Sequence, residues 1–452
     1  MAIKRIDSKR FEALAGHSRS PAAAYVSKEL DWFANDDESL IATLLVDLID
    51  KDYVGVVLGR DEYGRYRCVD VESSIRSPEA AVEWIERAIG WESRDMSKVF
   101  PQGDIAHPLD LFKEVVPIEK MNPNFAKLSQ SDALLPARRL VQEIAPHYID
   151  VDGNFVEQFQ SGGFDARVWE LYLHSYLVEE QLFLDRTHDR PDFLVTKFAK
   201  SVAIEATIVG RRSDRPLSYF RTGSSLPDNA ADVKRRQENE IPIRFGSPLF
   251  SKLQKRYWEL EHVKGLPVVF AIADFHDDLS MTWTSTALIN YLYGVTHDFH
   301  HDAEGQLVIT PHTIPGHKVG NKEIPSGFFF QPDAENVSAV LFSATGTISK
   351  FNRMGRQAGF MTPNHVMVRV GTCHDHDPNA HLPMRFNYVV DETSQETWAE
   401  GLSMFHNPRA THPVPKELFP SIAHHFFRDG QIHSYLPKFH PYSSVTINLL
   451  GR

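Results

Sequence analysis

The clearest alternation of apolar and polar positions lies between residues 161 and 293. The segment ARVWELYLHSYLVEEQL is apolar on most of its circumference and too long for a strand, so it predicts a buried helix. Three short runs joined by turns, FLDRTH, PDFLVTKF and KSVAIEATIV, predict strands. Beyond a polar loop from Arg211 to Gly246, Ser247-Pro248 predicts the start of a second helix, which stops at Gly265 and has one apolar stripe, Leu249, Leu253, Tyr257 and Leu260. The run LPVVFAIADF predicts an interior strand. The predicted order is α, β, β, β, α, β, which indicates an α/β unit with a mixed sheet.

The flanking regions carry weaker patterns. Residues 1–125 predict a small α+β module, because the strand-like runs LIATLLVDLI and YVGVVLG precede a helix, PEAAVEWIERAIG. The proline-rich stretch 101–123 predicts a linker. Residues 294–452 contain the strand candidates VSAVLFSATGTI and HVMVRVG and predict a β-rich α+β region. We therefore expect an α+β protein overall, with an N-terminal module at 1–125, a core at 126–293 and a C-terminal region at 294–452.

Charge and composition narrow the class of protein. The net charge of -12 has the wrong sign for a protein that coats nucleic acid by bulk charge. Residues 190–264 are the exception, with 15 Lys or Arg against nine Asp or Glu. No long apolar stretch predicts a membrane span, and only Cys68 and Cys373 occur, so a disulfide framework is excluded and a reducing, cytoplasmic location is expected.

Two carboxylates form the candidate site. Side chains alternate faces along a strand, so Glu205 and Thr207 share one face of KSVAIEATIV. The other face carries the apolar residues Val202, Ile204, Ala206 and Ile208. Asp192 follows Pro191 at the start of the preceding strand, and a hairpin would bring it to Glu205. Paired carboxylates suit a hard divalent cation such as Mg²⁺ or Mn²⁺, which binds one or two protein carboxylates together with substrate phosphate.

In these residues the chain resembles the PD-(D/E)XK nuclease superfamily, which has a restriction-endonuclease-like core. The likeness covers about residues 161–276. It implies that Asp192 and Glu205 bind the metal and that Glu170, on the first helix, is an accessory acid. This sequence departs from the family at Thr207, which stands where a lysine usually follows the glutamate by two positions.

A lysine elsewhere in the core would have to replace the missing one. Lys197 and Lys200 have the parity of apolar strand residues, so we expect both to point away from Glu205. Lys252 and Lys255 lie three apart beside the apolar stripe of the second helix, and lysines relocated to that helix occur in the superfamily. These two are the candidate catalytic lysines, and a solvated helix face is the alternative interpretation.

The basic loop that follows Glu205 is the candidate nucleic-acid contact. It also contains Tyr219 and Phe220, which could stack on bases, while neighbouring acids leave a merely solvated loop as the alternative. The candidate contacts are Thr207, Arg211, Arg212, Arg215, Arg221, Lys234, Arg235 and Arg236. We expect a Mg²⁺-dependent phosphodiesterase that acts on DNA, or on RNA.

Three alternatives stay open at this point. Glu170 could instead be a structural acid paired with Arg167, three residues earlier on the helix. The missing strand lysine would also permit an inactive nuclease-fold protein that serves as a nucleic-acid-binding or scaffold module. Finally, the histidine-rich C-terminal region could bind zinc, although its spacing matches no closed finger pattern. The histidines and the cysteine concerned are His297, His300, His301, Cys373, His374, His376 and His381.

Overall fold

The computed structural model describes residues 3–94, 97–103, 107–211, 227 and 229–451. The helices are α1 Ser8–Ala15, α2 Ala23–Val26, α3 Pro78–Glu92, α4 Pro123–Gln130, α5 Leu135–Ile144, α6 Phe155–Gln160, α7 Phe164–Glu179, α8 Ala230–Glu238, α9 Glu240–Leu253, α10 Ser285–Tyr293 and α11 Ile348–Gln357. The first ten strands are β1 Lys4–Arg5, β2 Ser27–Ala34, β3 Leu40–Asp47, β4 Tyr53–Arg60, β5 Tyr66–Ile75, β6 Phe183–Asp185, β7 Phe193–Lys197, β8 Lys200–Val209, β9 Val268–Asp274 and β10 Val295–His301. The others are β11 Leu307–Thr313, β12 Gly316–Val319, β13 Lys322–Pro325, β14 Ala339–Ser343, β15 His365–Cys373, β16 Met384–Val389, β17 Leu402–His406, β18 Ala423–Arg428, β19 Gln431–Tyr435 and β20 Pro441–Leu450.

The N-terminal region is an antiparallel sheet of five strands in the order β1-β2-β3-β4-β5, and α3 packs against it. Helix α3 begins where the sequence predicts, because the Ser77 side chain accepts a hydrogen bond from the Ala80 N–H and Pro78 opens the first turn. Its apolar face packs into a small core with β3 and β4.

A mixed sheet of eight strands forms the centre of the molecule, in the order β19-β18-β17-β14-β9-β8-β7-β6. Strands β6, β7 and β8 form an antiparallel meander, and β9 lies parallel to both β8 and β14. The fold is therefore mixed α/β, as expected from the sequence. The sheet takes strands from both sides of residue 293, where the sequence suggested a domain boundary.

Helices cover both faces of this sheet. On one face α5, α7 and α11 bury Leu140, Trp169 and Phe351, and on the other α9 and α10 bury Phe245 and Leu288. Apolar residues of β8 alternate between these two cores, with Ile204 in the first and Ala203 in the second. Glu205 has the parity of Ala203, so its side chain lies on the α9 side of the sheet.

The predicted limits of the second core helix were wrong at both ends. Helix α9 begins at Glu240, so Pro248 lies inside it, and it ends at Leu253. The reason is burial: Ile241, Phe245 and Leu249 repeat every four residues and pack on the sheet, which outweighs the proline and glycine punctuation. The polar loop expected before this helix also contains α8.

The rest of the C-terminal region forms a three-stranded sheet, β16-β15-β20, and two hairpins, β10-β11 and β12-β13. Within the residues that the structure describes, none of the helices combines the length and the apolar character needed to cross a membrane.

Candidate metal site between β7 and β8

Asp192 and Glu205 come together at the β7–β8 hairpin, as the sequence suggested. Phe193 pairs with Ile204 in the antiparallel register, which places the preceding residue, Asp192, across from Glu205. The Ala206 N–H donates a hydrogen bond of 2.7 Å to Asp192 Oδ2, and this bond holds the aspartate against the neighbouring strand. Two carboxylates therefore meet on adjacent segments of one sheet.

Glu205 is held through one of its two carboxylate oxygens. Lys252 Nζ contacts Glu205 Oε1, and the Tyr257 hydroxyl donates a hydrogen bond of 2.6 Å to the same oxygen. The other oxygen, Oε2, is buried and has no hydrogen-bond partner among the described residues. Only 4% of Glu205 is exposed, so this free oxygen is a buried acceptor that a cation or a donor would satisfy.

The pKa of Asp192 is shifted by its buried, acidic surroundings. Burial raises its pKa well above the usual range, and repulsion from Glu205 and Glu170 adds to that effect. The Ala206 N–H and Lys252 oppose the shift without cancelling it. Without a cation, these carboxylates are therefore held together against their mutual repulsion.

Glu170 joins the site through a hydrogen-bond network around the edge of the sheet. Its Oε2 accepts bonds from Arg167 (2.6 Å) and from the Tyr148 hydroxyl (3.2 Å). Arg186 donates to the Tyr148 hydroxyl at 3.1 Å and also to the Asp192 carbonyl. Burial raises the pKa of Glu170 despite the nearby arginine. The expected Arg167 pairing and proximity to Asp192 are thus both present.

The candidate lysines separate into one at the site and one away from it. Lys252 lies in the last turn of α9 and reaches Glu205, whereas Lys255 lies in the exposed turn beyond the helix. The placement of Lys255 on a helix face was therefore wrong, because α9 ends two residues earlier. Lys197 bonds to the Glu180 carbonyl at 2.7 Å and Lys200 pairs with Glu417, so neither approaches Glu205.

Thr207 is half-buried and has the same strand parity as Glu205. Its side chain therefore lies on the α9 side of the sheet, four residues before Arg211.

The basic candidates are engaged by acids wherever the structure describes them. Arg211 forms ion pairs with Asp165 (3.3 Å) and Asp278 (2.7 Å) at the end of β8. On α8, Arg235 pairs with Asp232, Arg236 pairs with the same aspartate at 2.9 Å, and exposed Lys234 lies 3.9 Å from Glu238. The expected contacts Arg212, Arg215 and Arg221 lie outside the described residues.

Helix α8 lies at the far end of α9 from the acidic pair. It leads directly into Glu240, the first residue of α9, while Lys252 lies in the last turn. At 1.5 Å of rise per residue these two positions are about 18 Å apart along the helix axis. The basic residues of α8 therefore do not border Asp192 and Glu205.

Three of the candidate C-terminal histidines have hydrogen-bond partners within the protein. His374 Nδ1 lies 3.0 Å from the Tyr442 hydroxyl, and His376 Nε2 lies 2.8 Å from the Lys438 carbonyl. His301 Nε2 lies 2.9 Å from the Asn379 carbonyl. Throughout the described ranges, no group of three or more His, Cys, Asp or Glu side chains is placed to hold a metal ion. The Asp192 and Glu205 pair, with two carboxylates, falls below that number.

Tyr257 is the site residue that the sequence did not reveal as functional. It was predicted as part of an apolar helical stripe, but Arg256 adopts a left-handed conformation with φ of 50° and turns the chain after α9. After this turn the Tyr257 ring packs in the core beside Phe270, and its hydroxyl reaches Glu205. No local sequence signal marks such a redirection, since a non-glycine residue in this region is uncommon.

Comparisons with protein-family models, with curated proteins and with solved structures find no match for this chain.

Proposed function

We propose that the chain is a divalent-metal-dependent phosphodiesterase that cleaves DNA, or RNA, on a restriction-endonuclease-like core. One observation carries the proposal: Asp192 and Glu205 lie side by side, Lys252 contacts one Glu205 oxygen, and the other, buried oxygen has no partner among the residues that the structure describes. This arrangement combines the carboxylates and the lysine that hydrolysis of a phosphodiester needs.

The connectivity around the site supports the same family. Helix α7 is followed by the antiparallel strands β6, β7 and β8, and α9 then leads to β9, which lies parallel to β8. Helices α7 and α9 cover opposite faces of these strands. The chirality and order of such connections restrict the possible folds strongly, so the agreement favours a nuclease-like core over an unrelated α/β unit.

The site residues fit a hard cation. Glu205 Oε2 is a buried oxygen without a hydrogen-bond partner among the described residues, and burial, together with repulsion from Glu205 and Glu170, raises the pKa of Asp192. Asp192 and Glu205 would hold Mg²⁺ or Mn²⁺, with the remaining ligands from water and substrate phosphate. Such an ion, when bound, stabilises charge on a phosphoryl oxygen and lowers the pKa of a bound water.

The protein's own groups position the reaction. Lys252 supplies a positive charge at Glu205, in the role that the strand lysine has in the resembling family, and it can anchor a phosphate oxygen. Tyr257 fixes Glu205 so that Oε2 stays free. Thr207, on the same face, can donate a hydrogen bond to a water but is no strong base at neutral pH.

A second candidate is a nucleic-acid-binding or scaffold protein without turnover. The observation that favours it is the low exposure of Glu205, whose Oε1 is already occupied by Lys252 and Tyr257. In that case the ion pair would be structural, and removing one partner would destabilise the fold rather than abolish an activity.

The test is cleavage of supercoiled, linear and single-stranded DNA and of RNA, with Mg²⁺, Mn²⁺ or EDTA. We expect metal-dependent cleavage by the wild type and a loss of at least about 100-fold in Asp192→Asn and Glu205→Gln. Asp298→Asn, which removes an exposed carboxylate in β10, is the matched control and should cleave normally. A wild-type protein that binds nucleic acid but does not cleave it with either metal would overturn the enzyme proposal and support the binding protein.

A further inference from the structure

A cavity with a mixed polar and apolar lining lies away from the acidic pair. Its volume is about 530 Å³, within the range typical of small-molecule sites. It is enclosed by α1 and the turn after it, the C-terminal end of α7, strand β6, helix α11 and the segment 395–398. Glu170 and Glu179 are nine residues apart on α7, so this cavity lies about 13 Å along the helix from the candidate metal site.

One part of the wall is apolar and suits a hydrocarbon chain. Side chains from several elements form this part of the wall. The apolar residues concerned include Leu140, Ile144, Val178, Leu182, Met354 and Trp398.

Glu179, the last residue of α7, supplies the charge in this wall. Its side chain is accessible from the cavity, and the rest of its surroundings is protein. Its carboxylate accepts 2.9 Å hydrogen bonds from the Trp398 and Ala399 N–H groups, and no described basic residue forms an ion pair with it. Burial raises the pKa of Glu179 to about 7, and Glu12 contributes repulsion.

The other charges of the wall have partners. Lys9 donates a hydrogen bond to the Glu392 carbonyl at 3.3 Å and lies 4.0 Å from Asp7. Glu12 pairs with Arg19 at 2.8 Å, and Arg19 also pairs with Glu29 at 2.7 Å. Glu396 pairs with Arg353 at 2.7 Å. An anionic ligand would therefore meet Glu179 without a free cation to compensate, whereas a cationic ligand would supply the missing counter-charge.

His17 provides a second polar point in the lining. Its Nε2 is buried without a hydrogen-bond partner among the described residues, and burial together with His147 lowers its pKa to about 3. The imidazole is therefore neutral at physiological pH and can accept one hydrogen bond. His17 therefore adds no positive charge to the lining that would repel an amino group of a ligand.

We propose that this cavity binds an aliphatic amine, in its simplest form a short diamine, with one ammonium group on Glu179 and its methylene groups along the apolar wall. The second amino group lies toward Glu12 and His17. The ligand is distinct from nucleic acid and from the metal, and the site is independent of whether the protein cleaves phosphodiesters.

Calorimetric titration of the full chain with 1,4-diaminobutane tests the proposal. We expect saturable binding with one site, and no binding of 1,4-butanediol, which has the same length without charge. Glu179→Gln should weaken diamine binding at least about tenfold, while Glu157→Gln, which removes an exposed carboxylate on α6, should leave it unchanged. Equal binding of diol and diamine, an equal effect of both variants, or no diamine binding would overturn the proposal.

A second variant covers the case in which Glu179→Gln does not fold, since Glu179 also holds two backbone N–H groups. Ala24 lines the cavity in α2, and its side chain is a single methyl group. Ala24→Trp should fill part of the space and abolish diamine binding, with an unchanged circular dichroism spectrum. Full diamine affinity in a folded Ala24→Trp protein would contradict the proposed location. Competition by MgCl₂ at equal ionic strength separates amine recognition from simple charge screening, and complete displacement by Mg²⁺ would also contradict it.

Discussion

At the scale of single residues, Glu205 is held on one oxygen and free on the other. Lys252 and Tyr257 both engage Oε1, whereas Oε2 is buried and has no hydrogen-bond partner in the part of the chain that the structure describes. Burial and the neighbouring carboxylates both disfavour the charged form of Asp192, so the metal-free pair is electrostatically unfavourable. Such destabilisation is typical of sites selected for ligand binding over stability.

Asp192→Asn should therefore stabilise the metal-free protein at pH 8. The pKa of Asp192 is raised in the folded state, so its contribution to stability is present at low pH and is lost as the pH rises through that pKa. An amide keeps an acceptor for the Ala206 N–H and carries no charge. We expect a gain of about 1 kcal/mol in the free energy of unfolding at pH 8, measured by urea denaturation in EDTA, and little gain near pH 4.

Addition of Mg²⁺ provides the control for this result. The ion should stabilise the wild type and not Asp192→Asn, because binding to the folded state alone shifts the unfolding equilibrium. A variant that is less stable than the wild type at pH 8 in EDTA would contradict the repulsion argument.

Tyr257→Phe should raise the Mg²⁺ concentration needed for half-maximal cleavage severalfold. The substitution removes one of the two donors to Glu205 Oε1, so the carboxylate loses part of its orientation while the ring and its packing remain. Titration of cleavage with Mg²⁺ measures the effect. Tyr293→Phe is the matched control, since its hydroxyl donates to the His406 and His425 carbonyls, and it should lower stability without changing the Mg²⁺ requirement.

At the scale of elements, the C-terminal end of α9 decides which lysine serves the site. Helix α9 packs against the central sheet and ends at Leu253. Lys252 is therefore still helical, and its side chain reaches Glu205 on β8. Lys255, three residues later, lies in the turn and is exposed. On a continuous helix the two lysines would lie on the same face. Because α9 ends between them, only Lys252 reaches Glu205.

The pair Lys252→Met and Lys255→Met tests this division. Methionine keeps much of the length and apolar stem of lysine and removes the charge. Lys252→Met should reduce cleavage at least about 100-fold, because the cation at Glu205 is lost. Lys255→Met should change it less than twofold. Equal effects in initial-rate measurements would mean that neither lysine acts at Glu205.

At the scale of the whole molecule, buried charges join the C-terminal region to the central sheet. Glu396 pairs with Lys350 (2.9 Å) and Arg353 (2.7 Å) on α11 and lies 3.5 Å from Arg369 on β15. Burial by itself would raise the pKa of Glu396, but the three cations hold that pKa well below the usual range. This network links two sheets that share no strand pairing.

Glu396→Gln should cost about 3–5 kcal/mol of stability at pH 7, because it leaves buried cations without their carboxylate. Since the pKa of Glu396 is lowered, its stabilisation is present at neutral pH and is lost as the pH falls through the folded-state value. Denaturant unfolding at pH 7 and at low pH measures both effects. Glu392→Gln, which breaks an exposed pair with Arg356 on the same helix, should cost less than about 1 kcal/mol.

The sequence by itself determined the features that depend on local periodicity. Alternation along β8 placed Glu205 and Thr207 on one face and turned Lys197 and Lys200 away from that site, because side chains on a strand alternate with a period of two. The order of helices and strands around the hairpin followed from the same patterns. Capping chemistry at Ser77 and Pro78 likewise located the start of α3.

Only the tertiary structure decided which distant groups complete the site. The start of α9 at Glu240 depends on burial against the sheet, which overrides a proline and a glycine that read as loop signals. Tyr257 reaches Glu205 because the chain turns at Arg256. Four strands beyond residue 293 join the central sheet, where β14 buries Leu341 and β17 buries Met404. Contacts of this kind arise from the packing of segments far apart in the chain, so no local pattern encodes them.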